Sequence, residues 1–305
     1  MPRLAAFALA LAPFVLATGC GGSSKDAVEE PAAAGSLESF LQAPGEDVAI
    51  VPGTADFAPG RVRLSFLVVD GQGQVIARPT ARVWLARGLE QTPFLETTAK
   101  SEAIGIEGSE EEADASEIFV THLEIAKPGT YWVLAEPVGG RQIQAVGNVV
   151  VAKRSAAPDV GERAIASRTP TIASSGGDLA ALSTQKPPDR ALLRSSIAES
   201  LAAKAPFVVA FATPQFCTTR TCGPVVEVVG AVRRKFADTE VRFIHVEIYT
   251  DNDPAKGTNR WVREWKLRSE PFTFLVGADG LIKERFEGTF SVRELTEAVE
   301  RELLP

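Results

Sequence analysis

Apolar residues alternate with polar ones along the first part of this chain and recur at helical spacing further on, so one architecture cannot account for both stretches. Val62, Leu64, Phe66 and Val68 alternate with Arg61, Arg63, Ser65 and Leu67. This is the period of a strand with one buried face. Val83 and Leu85 flank Trp84, Ile118, Val120 and Leu123 form a further run, and Tyr131–Ala135 and Ile143–Val151 complete the set. Asp70-Gly71-Gln72-Gly73, Lys127-Pro128-Gly129 and Gly139-Gly140 separate the runs as turns. Short strands at this spacing predict an all-β sandwich over residues 46–152. The acidic stretch Glu107–Glu117 lacks the spacing of a calcium loop and reads as a solvated loop.

Residues 153–188 have the composition of a linker, rich in Ala, Ser, Thr, Pro and Gly. A second domain is expected over residues 189–305. Pro187-Pro188-Asp189 offers a helix start, with Leu193, Ile197 and Leu201 at helical spacing. Phe207–Phe211 is a continuous apolar run, as in a strand buried on both faces. Pro224 suits a first helical turn, and Val225, Val228, Val229 and Val232 form one face after it. Val241–Tyr249 reads as a strand and Trp261–Trp265 as a short helix whose tryptophans pack inward. Asp279-Gly280 joins Phe272–Val276 to Leu281–Phe286 as a hairpin. Ser291 and Glu294 have the spacing of a capping box before Val292, Leu295, Val299 and Leu303.

The order α-β-α-β-α-β-β-α, with cysteines after the first strand and Pro271 just before the hairpin, resembles the thioredoxin superfamily. Thr221-Cys222-Gly223-Pro224 is similar to the start of that family's Cys-Gly-Pro-Cys motif. The Gly277–Gly280 turn, Gly288 and the final helix fall in the same register. In the first domain, Lys127–Tyr131 resembles the turn and strand entry of immunoglobulin-like modules. Together these resemblances imply an α/β thioredoxin fold behind an all-β immunoglobulin-like sandwich. They further imply a thiol-disulfide oxidoreductase with Cys217, Cys222 and Pro271 as catalytic residues, no cofactor, and protein disulfides or thiols as substrates. Pro271, in the position of the family's cis-proline, would hold backbone near the sulfurs, with Glu270 flanking the groove.

The sequence also departs from the family. Four residues separate Cys217 from Cys222, Val225 stands where the second cysteine would be, and Ala210 replaces the buried acid of the preceding strand. Three readings of the pair therefore stay open. In the first, Cys222, just before a helix N-terminus and near Arg220, is the more acidic thiol and Cys217 resolves the mixed disulfide; the reverse assignment is close behind. In the second, the pair is a structural disulfide in a non-catalytic binding protein. In the third, the cysteines bind copper in the manner of Sco-type proteins, with His245 the one histidine of this domain. His245 lies mid-strand, where a packed, hydrogen-bonded role is commoner, and His122 reads as structural too.

The N-terminus predicts the compartment. Arg3 is the lone charge before Cys20, and an apolar run shorter than a spanning helix leads to Leu16-Ala17-Thr18-Gly19-Cys20. This resembles a bacterial lipobox. It implies a signal peptide over residues 1–20, lipidation of Cys20, a disordered tether over 21–45 and anchoring on the extracytoplasmic face of the cell membrane. With Cys20 so used, the three cysteines leave one pair, in a compartment where disulfides persist. A net charge of −7 lacks the basic footprint of a nucleic-acid-binding protein.

Overall fold

The structure, a computed structural model, describes residues 33–41, 48–108, 115–139, 144–216 and 224–304. It opens with a short helix, α1 (Leu37–Leu41), followed by seven strands: β1 (Val48–Pro52), β2 (Gly60–Asp70), β3 (Thr80–Ala86), β4 (Leu95–Ala103), β5 (Glu117–Ile125), β6 (Gly129–Pro137) and β7 (Ala145–Val151). They form one antiparallel sheet in the order β1-β2-β5-β4-β3-β6-β7. Its two edges approach each other. A Cβ on Gly147 of β7 would sit 3.3 Å from Cβ of Ile50 in β1, and Phe57 bridges to Val151. The sheet is therefore a nearly closed barrel. Val62, Leu64, Phe66 and Val68 fill it together with Phe119, Leu123, Tyr131 and Val133.

The expected immunoglobulin-like sandwich is thus corrected. Alternation reports that each strand has one buried face. It is the same whether that face meets a second sheet or the far wall of its own sheet.

The second sheet contains β8 (Phe207–Phe211), β9 (Arg242–Val246), β10 (Phe272–Val276) and β11 (Ile282–Glu287) in the order β11-β10-β8-β9. β8 and β9 are parallel and the other pairs antiparallel. Helices α2 (Ile197–Ala202), α3 (Val225–Lys235), α4 (Arg260–Glu264) and α5 (Val292–Glu302) accompany it. Val208 and Ala210 pack with α3 and α5 on one face. Phe207, Val209 and Phe211 pack with Trp265 and Ile197 on the other. The capping box of Ser291 and Glu294 is present.

The expected fold class, and with it the resemblance to the thioredoxin superfamily, is corrected by the balance of elements. Among the described residues the chain is predominantly β, with 35% strand against 19% helix in eleven strands and two sheets, and a thioredoxin α/β fold is not seen there. The helical spacing in the sequence matures poorly. Leu193, Ile197 and Leu201 do not share a helix, because Arg190–Leu193 forms a 3-10 turn capped by Asp189. Ser196 then starts α2 afresh with its own capping box to Glu199. Only α3 and α5 reach 11 residues among the described helices.

The segment between the sheets is built into the molecule. Gly161 donates to Ile282, Ile282 to Glu162, and Ala164 to Gly280, so it lines the β11 edge (2.8–3.0 Å). Asp56 anchors it by accepting from the Ala156 and Ala157 amides and pairing with Arg285 at 3.1 Å. Burial works to raise the Asp56 carboxyl; the bonds from Ala156, Ser155 and Ala157 and the Arg285 charge outweigh it and hold the group below the usual carboxylate range. Across the sheets, Arg63 of β2 pairs with Glu294 of α5 at 2.8 Å, with both side chains almost fully buried. Glu287 accepts from the amides of Ala55 and Asp56. No helix among the described residues is long and apolar enough to cross a membrane.

Candidate functional site

The described chain leads up to the cysteine loop from both sides. After β8, Ala212 donates to Val246 at 3.1 Å and its carbonyl lies 3.0 Å from His245 Nε2. A turn at Pro214–Phe216 follows. Residues 217–223, including Cys217, Arg220 and Cys222, lie outside the described residues, as does Cys20. The chain resumes at Pro224, which occupies the cap position of α3 without a side-chain hydrogen bond. Val225, the first helical residue, is three positions beyond Cys222. A helix of this length presents unsatisfied amides and a partial positive charge at that end.

Two carboxylates stand at the stem of the loop. The Gln215 amide donates to Thr184 Oγ1 (3.2 Å), and Thr184 donates to Glu247 Oε1 through its hydroxyl (2.8 Å) and its amide (2.6 Å). Phe216, next to Cys217, meets the Tyr249 ring edge-on at 6.2 Å, and Tyr249 donates to Glu270 Oε1 at 3.1 Å. Both residues preceding Cys217 are thereby tied to an acid. Glu247 is buried, with Oε2 lacking a hydrogen-bond partner among the described residues, and the buried Thr213 hydroxyl is in the same condition. Burial, reinforced by the nearby Glu247 charge and only partly opposed by the Tyr249 hydroxyl, pushes the Glu270 carboxyl above its ordinary range. The Tyr249 hydroxyl is raised as well, by burial and then by Glu270.

Pro271 follows Glu270 across a cis peptide bond and enters β10, its carbonyl accepting from Gly288 at 2.9 Å. With Phe272 paired to Phe211, it stands beside Ala212 in the register, at the base of the loop. Val225 and Ala210 are buried core residues. His245 is buried with Nε2 engaged. Trp265 is in the core, donating to Ser167, and Trp261 donates to Arg168. His122 lies on the outer face of the barrel, opposite Arg63. Among the described residues, no three His, Cys, Asp or Glu side chains converge as a metal site; both cysteines of the pair fall outside that set.

Sequence reasoning named Glu270 but missed Glu247, Tyr249 and Thr184. A carboxylate directly after a strand-like stretch carrying Phe243, Ile244 and Val246 was the available signal for Glu247. Thr184 carries no signal, because its partner is 63 residues away. The chain matches no protein family, and no curated protein matches it either.

Proposed function

We propose that this chain carries out thiol-disulfide exchange through Cys217 and Cys222, acting on disulfides or thiols of secreted proteins and held at the membrane by a lipid on Cys20. The observation that supports this reading is the acid pair at the stem of the cysteine loop, with α3 starting just beyond it. The Cys222 thiolate attacks a substrate disulfide, forming a mixed disulfide and expelling one substrate thiolate, which takes up a proton. Cys217 then attacks Cys222, releasing the second substrate thiol and leaving a Cys217–Cys222 disulfide. Two electrons pass to the substrate, and an external dithiol must return them. The positive end of α3 favours the thiolate. Glu270, which burial holds above the usual carboxylate range, is placed at the stem of the loop as a group for proton exchange with a sulfur.

A second reading, a non-catalytic binding protein with a locked disulfide, is favoured by one contact. Gly105 of the β4–β5 connection packs on Pro224, and Ile106 joins the α3–α5 core, so the barrel braces the helix start. The reduction potential separates the two. Thiols trapped in graded glutathione buffers and counted by mass place a redox-active pair at roughly −270 to −120 mV and a structural one below about −300 mV. A value in the lower range, or full reductase activity in both Cys217→Ser and Cys222→Ser, refutes the exchange reading.

A further inference from the structure

Helix α1 belongs to a stretch whose composition reads as tether, yet it lies against the wall of the barrel. Leu37 is fully buried and clusters with Trp84, Ala86 and Leu134. The Phe40 ring stands 5.5 Å from that of Trp84. The Leu37 amide donates to the Gln91 carbonyl at 3.0 Å and the Glu38 amide to that of Leu89 at 2.8 Å, both in the β3–β4 connection. Ser36 starts the helix, its hydroxyl accepting from the Ser39 amide at 3.1 Å. A helix of five residues does not hold by itself in water, so these contacts are what keep α1 in place.

Strand register shows which end of the barrel this is. β4 starts with Leu95 opposite Leu85, at the close of β3, and ends with Ala103 opposite Glu117, the start of β5. The β3–β4 and β4–β5 connections therefore stand at opposite ends, separated by the nine residues of β4, about 30 Å at the rise of a strand. α1 is fastened at the first end. β1 begins at the second, because Val48 pairs with Asp70, the last residue of β2, whereas Gly60, its first, pairs with Ile125 at the close of β5. The stem of the cysteine loop belongs to the second end as well. Gly105 of the β4–β5 connection approaches Pro224 so closely that a Cβ would lie 2.7 Å from its Cγ, and Ile106 packs with the α3–α5 core. Leaving from Val48, the chain would emerge at the end that carries the cysteine loop. Fastening α1 carries it to the opposite end before it leaves at Ser36.

We propose that α1 is a strap that sets the polarity of the membrane anchor. It makes the anchored chain leave the barrel at the end remote from the cysteine loop, so the loop faces solution and meets soluble secreted proteins rather than membrane-embedded ones. The inference rests on the lipid at Cys20 and on the cysteine pair as the working site. Chain length makes the choice of exit matter. Sixteen residues separate Cys20 from Ser36, a reach of at most about 55 Å, against 28 residues and about 95 Å to Val48. The strap thus shortens the anchor and puts about 30 Å of barrel between its exit and the loop.

The test uses the full-length lipidated chain in phosphatidylcholine vesicles, with the cysteine pair reduced. Alkylation of the pair is counted by mass, with a maleimide carried on a lipid headgroup and, separately, with a soluble maleimide. The ratio of the two rates reports nearness to the bilayer. Leu37→Asp, and Phe40→Ser as a milder variant, release the strap. The ratio is expected to rise roughly threefold or more in both, with the soluble rate unchanged and a cooperative urea transition retained. Hydrogen exchange shows the release directly: the Leu37 and Glu38 amides, protected in the wild type, exchange freely in the variants. Equal ratios in wild type and released variants overturn the proposal, as do unprotected amides in the wild type. A chain that washes off the vesicles refutes the lipid on Cys20, and the role of the strap falls with it. The exchange reading is judged separately by the reduction potential, on which this ratio does not depend.

Discussion

Arg63→Met tests whether the barrel and the second sheet unfold as one body. The Arg63 side chain is 4% exposed and that of Glu294 9%. The guanidinium donates Nε to Oε1 at 2.8 Å and Nη2 to Oε2 at 3.0 Å, adds a bond to the Thr289 carbonyl, and lies 5.5 Å from the Phe286 ring centroid. Removing it leaves the Glu294 carboxylate in the interface with the Ser291 amide as its remaining cap contact. Deleting one partner of a buried pair costs about 3–5 kcal/mol. Glu294→Gln keeps an acceptor for Ser291 and loses one charge-assisted interaction, about 1.5–3 kcal/mol. In Arg63→Met/Glu294→Gln neither charge is stranded, so the double variant falls short of the sum by a coupling of about 0.5–3 kcal/mol. Urea unfolding followed by tryptophan fluorescence reads both parts at once. Trp84 and Trp132 report on the barrel, and Trp261 and Trp265 on the second sheet. A single transition that moves to lower urea with unchanged slope is expected. A loss within about 1 kcal/mol, the scale of an exposed pair, would refute the reasoning, as would two separate transitions.

Glu270→Gln is expected to alter the pH profile of thiol reactivity at the cysteine pair above the ordinary carboxylate range, read by alkylation rate; an unchanged profile removes Glu270 from proton transfer. Because the folded carboxyl is raised, its contribution to stability is present below the ordinary carboxyl pKa and lost as pH rises through the folded value. The variant should therefore gain on the wild type as pH rises. Asp56 is lowered, so its contribution is present above the ordinary value and lost as pH falls through the folded one. Asp56→Asn is expected to cost about 1.5–3 kcal/mol at neutral pH, with the gap closing in acid; a pH-independent gap would contradict this. Gly105 has φ +82°, and an added Cβ would lie 2.7 Å from Cγ of Pro224. Gly105→Ala should cost at least about 1–2 kcal/mol from the left-handed backbone alone, and an unchanged denaturation midpoint would show that this contact yields freely.

Local chemistry was readable where one short stretch determines the outcome. The alternation of Val62–Val68 gives β2 and its inward face. Asp70 closes its turn by accepting from the Gln72 and Gln74 amides. Asp279-Gly280 makes the β10–β11 hairpin, with Gly280 at φ +78°. Barrel closure was not readable, because it depends on Ile50 and Gly147 meeting from opposite ends of the sheet. The fold class was misjudged for a related reason. Helical spacing shows which face a helix would bury but not where caps cut it short, as Asp189 and Ser196 do on either side of Arg194.

The candidate site divides along the same line. Glu270 was visible beside Pro271, but its raised carboxyl depends first on burial that only the fold supplies, and then on Glu247, which follows another strand. Thr184 sits in a segment whose composition reads as linker, yet it joins Gln215 to Glu247. A stretch rich in small polar residues can serve as a tether or as a source of short side chains that reach buried acids. Which it becomes is decided by the surface it crosses. Here Ser155, Ser167 and Thr184 each bond a carboxylate, Asp56, Glu264 and Glu247 in turn. The segment that separates the sheets in sequence thus secures the stem of the cysteine loop and the Asp56 anchor between the sheets. Shortening it by deletion would disturb both places at once, an outcome that a free linker would not produce.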